Sequence, residues 1–503
     1  MASEGARTVV GATALGAQTI VNALLGLVFF IFLARFISQA EMGVYASLLF
    51  AMGLFQNIGP LGLPVAAARF IPKSIGEGKI DEVSTYVTSI VSISMISALA
   101  LALTFCLLSG PFSEILTKSN ANIALFALAS LAVFLNIPSV NLDALMQGFQ
   151  NFGRLAIVRT FSQGLRVVVS VLLLVMGYGL VGVVIGFVAM NAVSLLFLLY
   201  FVRGHLVLRV DAKVMTRILG YSVPLLLSTV ANFVSNQIDL LILILFTMPV
   251  LVGVYTVAVT ISGLLGAIFF VTINATLQPA AAKVFGSSGT RGLESALLRA
   301  SRYIAIVFVP AAIALGILGG TAINIMAGQS YLGALVPLSI ISVASIAVAL
   351  SITPTIALQT VGDTRSVLML TMASILVGLA ADMALIPGLA GTGAALGKCA
   401  LMLAGLLAAV YLARKHLNLM FDLVALRKSL VASALMATVL LAAEAKLGFA
   451  PSYAVLYIPV GFLTFLVGMR VQHAFGVDDL NLILRVLPKR LNIVSKLIGW
   501  AAT

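Results

Sequence analysis

One apolar pattern is written into this chain twice, 211 residues apart: GVVIGFVAMNAVSLLFLLYFVRGH at 182–205 and GAALGKCALMLAGLLAAVYLARKH at 393–416. Gly182, Gly186, Tyr200, Arg203 and His205 fall without a gap on Gly393, Gly397, Tyr411, Arg414 and His416. The front of each half repeats the echo, with Asn22 and Gly43-Val44-Tyr45 standing 210 residues before Asn232 and Gly253-Val254-Tyr255. At offset 212, Gln147 and Asn151 pair with Gln359 and Asp363. A chain that spells one hydrophobic bundle twice folds into two copies of it. In membranes the cleft between such copies is the usual seat of a substrate.

That the bundle is a membrane bundle follows from composition. The chain is 61% hydrophobic and 9% charged, where a soluble protein carries roughly a quarter charged residues. Runs of roughly 20 apolar residues, the thickness of a bilayer core, recur along its length. A transmembrane β-barrel would show short alternating segments instead, and none is present. The net charge of +13 is scattered through short loops, not gathered into the patch that nucleic-acid binding requires, so no nucleic acid is expected as a partner. Cys106 and Cys399 lie far apart in apolar stretches and read as packing residues, without a disulfide or metal pattern. The first apolar run, Val10 to Phe36, is too long for a signal peptide and reads as a retained span.

Fourteen spans are expected: 10–36, 43–70, 83–108, 122–147, 155–177, 179–202, 217–246, 249–275, 299–320, 333–360, 366–387, 391–413, 428–447 and 452–470. Pro60 and Pro64, Pro138, Pro224 and Pro354 mark expected kinks in the second, fourth, seventh and tenth. Basic residues collect after the even-numbered spans, for example Arg69/Lys73/Lys79, Arg203/Arg209/Lys213/Arg217 and Arg414/Lys415/Arg427/Lys428. The opposite side holds only Arg35, Lys118 and Lys446. The asymmetry places both termini in the cytoplasm of a multi-pass protein of the cell membrane. Six spans per repeat is an even number, so both copies enter the bilayer in the same sense, related by an axis along the membrane normal. The expected organisation is a six-helix lobe at 1–210, a second at 211–420, two further helices at 421–475 and an amphipathic cytoplasmic tail at 476–503, with Trp500 at the interface.

Catalytic constellations are missing. His205, His416 and His473 all fall at cytoplasmic ends of spans, without zinc or acid–base pairing around them. Gly391 to Lys398 superficially resembles a phosphate loop, but its spacing fails that pattern, and helix packing through Gly393 and Gly397 explains it better. Neither enzymatic activity nor a cofactor or metal is expected.

The informative residues are polar or ionisable groups within spans, each costly in hydrocarbon unless paired or wet. Arg166 sits near the middle of the fifth span, and Arg159, Gln163, Arg166 and Ser170 form one polar stripe. The counterpart stripe on the eleventh span reads Thr371, Ile375, Gly378 and Asp382. Arg166 is expected to line a cavity and face an anionic headgroup, whereas Arg159 reads as snorkelling to the cytoplasmic surface. Asp382 and Lys398 fall at similar depth on neighbouring spans, as an ion pair or as a site for a coupling ion or headgroup. Asp239 lies in the seventh span with Asn232, Asn236 and Gln237, while Gln18, Asn22, Gln56 and Asn57 give the first two spans matching polarity. Together they point to a hydrated cavity between the lobes, although any one Asn could serve only an interhelical hydrogen bond.

Leu33-Ala34-Arg35-Phe36 followed by Glu41-Met42-Gly43-Val44-Tyr45, and Ala357-Leu358-Gln359 followed by Gly362-Asp363-Thr364-Arg365, complete a recognisable pattern. Over its whole length the chain resembles the multidrug/oligosaccharidyl-lipid/polysaccharide (MOP) exporter superfamily, in particular the polysaccharide-biosynthesis (O-antigen type) flippases. The resemblance implies an all-α polytopic fold of 14 transmembrane helices, two pseudo-symmetric six-helix lobes and two trailing helices. It also implies alternating-access translocation of polyprenyl-(pyro)phosphate-linked oligosaccharides through a cationic cavity, for which Arg166, Arg35 and Lys398 are candidates beside Gln163, Asn22, Asn57 and Asn232. Asp239 and Asp382 are candidates for a coupling H+ or Na+. Expected partners are the lipid-linked saccharide, membrane lipids and glycan-assembly enzymes, with the protein a monomer. The rival reading is a cation-coupled multidrug (MATE-type) antiporter, which Asp239 and Asp382 leave open and Arg166 opposes.

Overall fold

In the computed structural model the described residues are 2–207, 211–417 and 421–473; the amphipathic tail expected at 476–503 lies outside them. Long helices make up almost all of the described chain, joined by short turns and a few 3-10 segments, with no strand among those residues. Thirteen helical stretches are long and apolar enough to cross a membrane. One of them, α13 (Thr364–Ala413), turns back on itself at Ala390 and so supplies two of the fourteen expected spans.

The chain forms two compact units, residues 1–253 and 254–503. The first holds α1 (Ala2–Phe36), α2 (Gln39–Ile58), α3 (Leu63–Gly76), α4 (Ile80–Leu107), α5 (Ser109–Thr117), α6 (Ile123–Gly148), α7 (Phe152–Val175), α8 (Gly179–Val202), α9 (Ala212–Phe246) and the start of α10 (Pro249–Ile317). The rest of α10, α11 (Gly319–Met326), α12 (Leu335–Val361), α13, α14 (Leu423–Leu447) and α15 (Ala454–Val471) belong to the second. The repeat in the sequence assigns α9 to the second half, yet α9 packs on α2, α3 and α4 of the first unit. The repeat extends to features its residues do not announce. Short α5 and α11 begin 210 residues apart, each directly after a long helix.

Prolines act differently at different places. The second expected span is split after Ile58, where Leu61 and Gly62 take positive φ (52° and 70°) and Pro64 opens α3. Gly62 is required there. Any Cβ would run into the backbone of α9 at Ser222 and Leu226, beside Pro224. By contrast α6, α9 and α12 continue through Pro138, Pro224 and Pro354. The basic segment read as a loop before residue 299 is helical as well, broken only at Gly289, because Ala281, Leu293 and Leu297 give it an apolar face that is fully buried.

Close helix contact in both units depends on glycine. Inside the first unit the equivalent residues Gly43 and Gly253 pack reciprocally: a Cβ on Gly43 would strike Pro249, and one on Gly253 would strike Gln39. Ser38 starts α2 with a capping box, its hydroxyl accepting from Glu41 N (3.3 Å) while the Glu41 carboxylate accepts from Ser38 N (2.8 Å).

Each unit sorts its loops onto two faces as an alternating span count requires. In the first unit the Arg69 guanidinium stacks on Tyr221 (4.5 Å) and Arg217 donates to the Tyr86 hydroxyl (3.4 Å), gathering one set of helix ends. On the other face Lys118 donates to the Leu245 carbonyl (3.0 Å) at the end of α9. In the second unit Lys428 reaches the His473 carbonyl (2.9 Å) on one face, and Asn324 reaches the Phe449 carbonyl (2.9 Å) on the other.

Candidate functional site

A polar cavity of about 420 Å³ opens inside the first unit among α1, α3, α6, α7 and α8. Helical periodicity builds it. On α6, Asn136, Ser139, Asp143 and Gln147 recur every three to four residues and so share one face. Arg159, Ser162 and Gln163 of α7, Asn191 and Ser194 of α8 and Asn22 of α1 complete the polar wall. Asn136 Nδ2 donates to Asn191 Oδ1 (3.0 Å), and Asn191 Nδ2 donates to the Phe187 carbonyl (2.8 Å). The Asn22 Oδ1 and Ser162 Oγ atoms are enclosed with no protein partner.

Arg159 does not snorkel; it grips Asp143 in a fork. Its Nε donates to Oδ2 (2.7 Å) and its Nη2 to Oδ1 (2.6 Å), while Gln147 Nε2 also donates to Oδ1 (2.8 Å). The expected reach of Arg159 to the cytoplasmic surface is replaced by this pairing with Asp143 on the neighbouring helix. Planar two-point bonds of this kind hold both side chains in one geometry. They also cancel the two charges of the cavity lining.

Arg166 lies one turn beyond Gln163 on α7. Its guanidinium stands over the rings of Phe187 (4.0 Å) and Phe29 (4.6 Å), with the Tyr45 hydroxyl of α2 close by. The Nε is enclosed without a hydrogen-bond partner. All these neighbours are neutral. Rings stabilise the cation through their quadrupoles but leave its charge uncancelled.

The other expected site residues are dispersed. The Asn57 amide turns back onto the Gly53 carbonyl of its own helix (2.7 Å), and the Asn232 amide onto the Ser228 carbonyl (2.8 Å). Arg35 is exposed at the end of α1, and Asp239 is buried in α9. In the second unit Asp382 is buried against Gly397, the residue before Lys398, where the two arms of α13 cross. The first unit repeats that crossing with Ser170 against Gly186. Among the described residues no group of three or more His, Cys, Asp or Glu side chains is placed to hold a metal.

At a helix-end face of the second unit, His416 Nε2 meets Asp363 Oδ2 at 3.0 Å, and Asp363 also accepts from the Ser366 hydroxyl and backbone N–H. The His416 contact first, then the Ser366 bonds, hold the Asp363 carboxyl down at about 2. The second unit also carries an apolar groove of about 510 Å³ between the end of α10 and α14–α15, lined by Val307, Pro310, Leu440, Tyr457 and Phe462 among others.

The sequence reading singled out Asn22, Gln163 and Arg166, which the fold brings into one region of the first unit. It missed Asp143, Asn136 and Asn191. A signal existed: the stripe on α6 has the same period as the stripe on α7.

Three solved structures illustrate the fold. A lipid II flippase, MurJ, in an inward closed conformation aligns with a TM-score of 0.72 at 13% identity, over 92% of this chain and 98% of that one. An inward-facing multidrug resistance MATE family transporter of the MOP superfamily gives 0.67 at 16% identity, over 78% and 94%. A MOP superfamily transporter from Pyrococcus furiosus, described as having a binding pocket of reverse polarity, gives 0.58 at 16% identity, over 80% and 95%. At such identities the likeness speaks for the fold alone: a polytopic helical bundle like those of these three proteins. None of the curated proteins matches the sequence significantly. A family description does match, over residues 32–336 and therefore well over half of the chain. By that match the chain belongs to the polysaccharide biosynthesis protein family.

Proposed function

We propose that this protein translocates a polyprenyl-(pyro)phosphate-linked saccharide across the cytoplasmic membrane by alternating access. The observation that carries the reading is Arg166, a cation inside a helical membrane body whose partners are two rings and a phenol. An uncancelled positive charge in low-dielectric surroundings attracts an anion far more strongly than it would in water. The phosphate of a lipid-linked saccharide supplies that anion, and membership in a polysaccharide biosynthesis family supplies the context. The apolar groove beside α14 and α15 suits a hydrocarbon chain.

In this reading both termini lie in the cytoplasm, the protein works as a monomer, and it transports without catalysing a reaction. Glycan-assembly enzymes deliver and consume its cargo. Asp239 and Asp382, both buried, are the sites for a coupling H+ or Na+, whose binding shifts the conformational equilibrium only by its difference in affinity between states.

The MATE likeness and the two buried aspartates favour a second reading, cation-coupled export of organic cations. Reconstitution into liposomes decides between them. Transfer of a polyprenyl-pyrophosphate-linked saccharide to the far leaflet, with no uptake of a cationic dye, is the expected result. Dye transport coupled to a proton or sodium gradient, with no movement of the lipid, would replace the flippase reading with the antiporter.

A further inference from the structure

The polar cavity of the first unit lies outside the role given to Arg166, and its chemistry is different. Its two charged groups, Asp143 and Arg159, neutralise one another through the forked pair. What remains to meet a ligand is amide and hydroxyl, Asn22, Ser162 and Gln163, backed by Asn191, whose amide is held by Asn136 and the Phe187 carbonyl. Ser162 is 2% exposed and its Oγ has no protein partner, and the enclosed Asn22 Oδ1 has none either. Enclosed polar atoms without partners are costly unless something else satisfies them.

The repeat supplies an internal control for the bland explanation, that these groups merely hold helices together. In the second half the equivalents of Asn136, Asp143, Arg159, Gln163 and Asn191 are Val348, Thr355, Thr371, Ile375 and Met402. Asn22, Gln147 and Ser162 recur as Asn232, Gln359 and Ser374, but the second half forms the corresponding long helices without the other amides or the ion pair. The bundle does not need Asn136, Asp143, Arg159, Gln163 or Asn191, and their presence on one side only marks a specialised surface.

Building on the flippase reading, we infer that this cavity is a subsite for an uncharged, hydroxyl-rich sugar residue of the translocated headgroup. Amides and hydroxyls each offer donors and acceptors, as sugar hydroxyls do. A neutral lining neither holds a phosphate nor prefers an organic cation. The volume is within the range of small-ligand pockets. Gln163 and Arg166, on neighbouring turns of α7, then set sugar recognition beside phosphate recognition on a single helix.

The test uses purified full-length protein in nanodiscs and three lipid probes of one chain length: polyprenyl pyrophosphate without sugar, the same lipid carrying one hexose, and the same lipid carrying one N-acetylhexosamine. Dissociation constants are compared for wild type, Ser162→Ala, Gln163→Leu and Asn191→Leu, with Ser351→Ala in the second unit as control and monodisperse yield as the check on folding. Expected is tighter binding of at least one sugar-bearing lipid than of the bare lipid. That preference falls about tenfold in Gln163→Leu or Ser162→Ala, the loss of roughly one or two hydrogen bonds, while bare-lipid binding and the control stay unchanged. Equal binding of all three probes by wild type, or a preference untouched by the well-folded variants, overturns the subsite and leaves the flippase reading standing. Failure of wild type to bind any of the three overturns both.

Discussion

The Arg166 guanidinium lies 4.0 Å from the centre of the Phe187 ring, so α7 and α8 are joined by a cation resting on an aromatic face. Replacing Phe187 with Leu removes the quadrupole while keeping most of the apolar bulk. Stability should fall by about 0.5–2 kcal/mol, seen as a lower thermal unfolding midpoint in detergent. The same change in an Arg166→Ala background should cost less, because the interaction is already gone. Equal losses in both backgrounds would show that the ring acts through packing alone.

Gly397 and Gly186 occupy equivalent crossings, one pressed against Asp382 and the other against Ser170 and the Arg166 carbonyl. Alanine at either position forces the hairpin arms apart, at about 1–3 kcal/mol. Gly397→Ala combined with Asp382→Ala should recover part of that loss, since the side chain in the way is then shorter. Gly164 has open space around its Cβ position, so Gly164→Ala is the neutral comparison. Thermal midpoints of the four variants check the series.

Ala390 turns α13 back on itself at φ 48° and ψ −123°, a conformation an alanine side chain resists. The first repeat puts Gly179, also at positive φ (53°), at the equivalent position. Ala390→Gly should therefore stabilise the protein, by about 1 kcal/mol once the added chain entropy of glycine is subtracted. An unchanged or lowered midpoint would mean that the turn carries no strain.

Much of the architecture could be read from residues alone. Hydropathy separates Thr364–Ala413 into two spans, because length limits what one crossing can hold, and the chain does reverse between them at Ala390. Arg69 and Lys118, expected on opposite sides, do meet opposite ends of α9, at Tyr221 and Leu245. Partner choice was harder to see. Asn57 and Asn232 looked like cavity residues, yet each spends its amide on a carbonyl four residues earlier. Nothing in helical spacing distinguishes that bond from one across helices. Asp143 was overlooked because it lies in a mostly apolar span, and only the packing of α6 on α7 brings it to Arg159. The helix α9 joins the first unit by tertiary packing, which a repeat cannot specify.

The Asp363–His416 contact gives a pH signature outside the membrane. The carboxyl is held at about 2, chiefly by the His416 contact and then by Ser366. Its folded value is depressed, so its stabilising contribution is complete above the ordinary carboxylate range and is lost as pH falls toward about 2. An infrared titration, with the Asp363 band identified by subtracting Asp363→Asn, should show the protonated carboxyl only near that acidic limit. His416→Ala should move its appearance to higher pH. A band already present at pH 4 in the wild type would contradict the pairing.

The most direct measurement is the initial rate of lipid-linked saccharide transfer in liposomes holding equal amounts of wild-type, Arg166→Lys and Arg166→Ala protein. Lysine keeps the charge but not the planar fork, so an intermediate rate is expected. Alanine leaves no charge to meet the phosphate, and the rate should drop more than about tenfold, the equivalent of roughly 1.4 kcal/mol. Transfer at the wild-type rate by Arg166→Ala would contradict the role of this cation in moving the cargo.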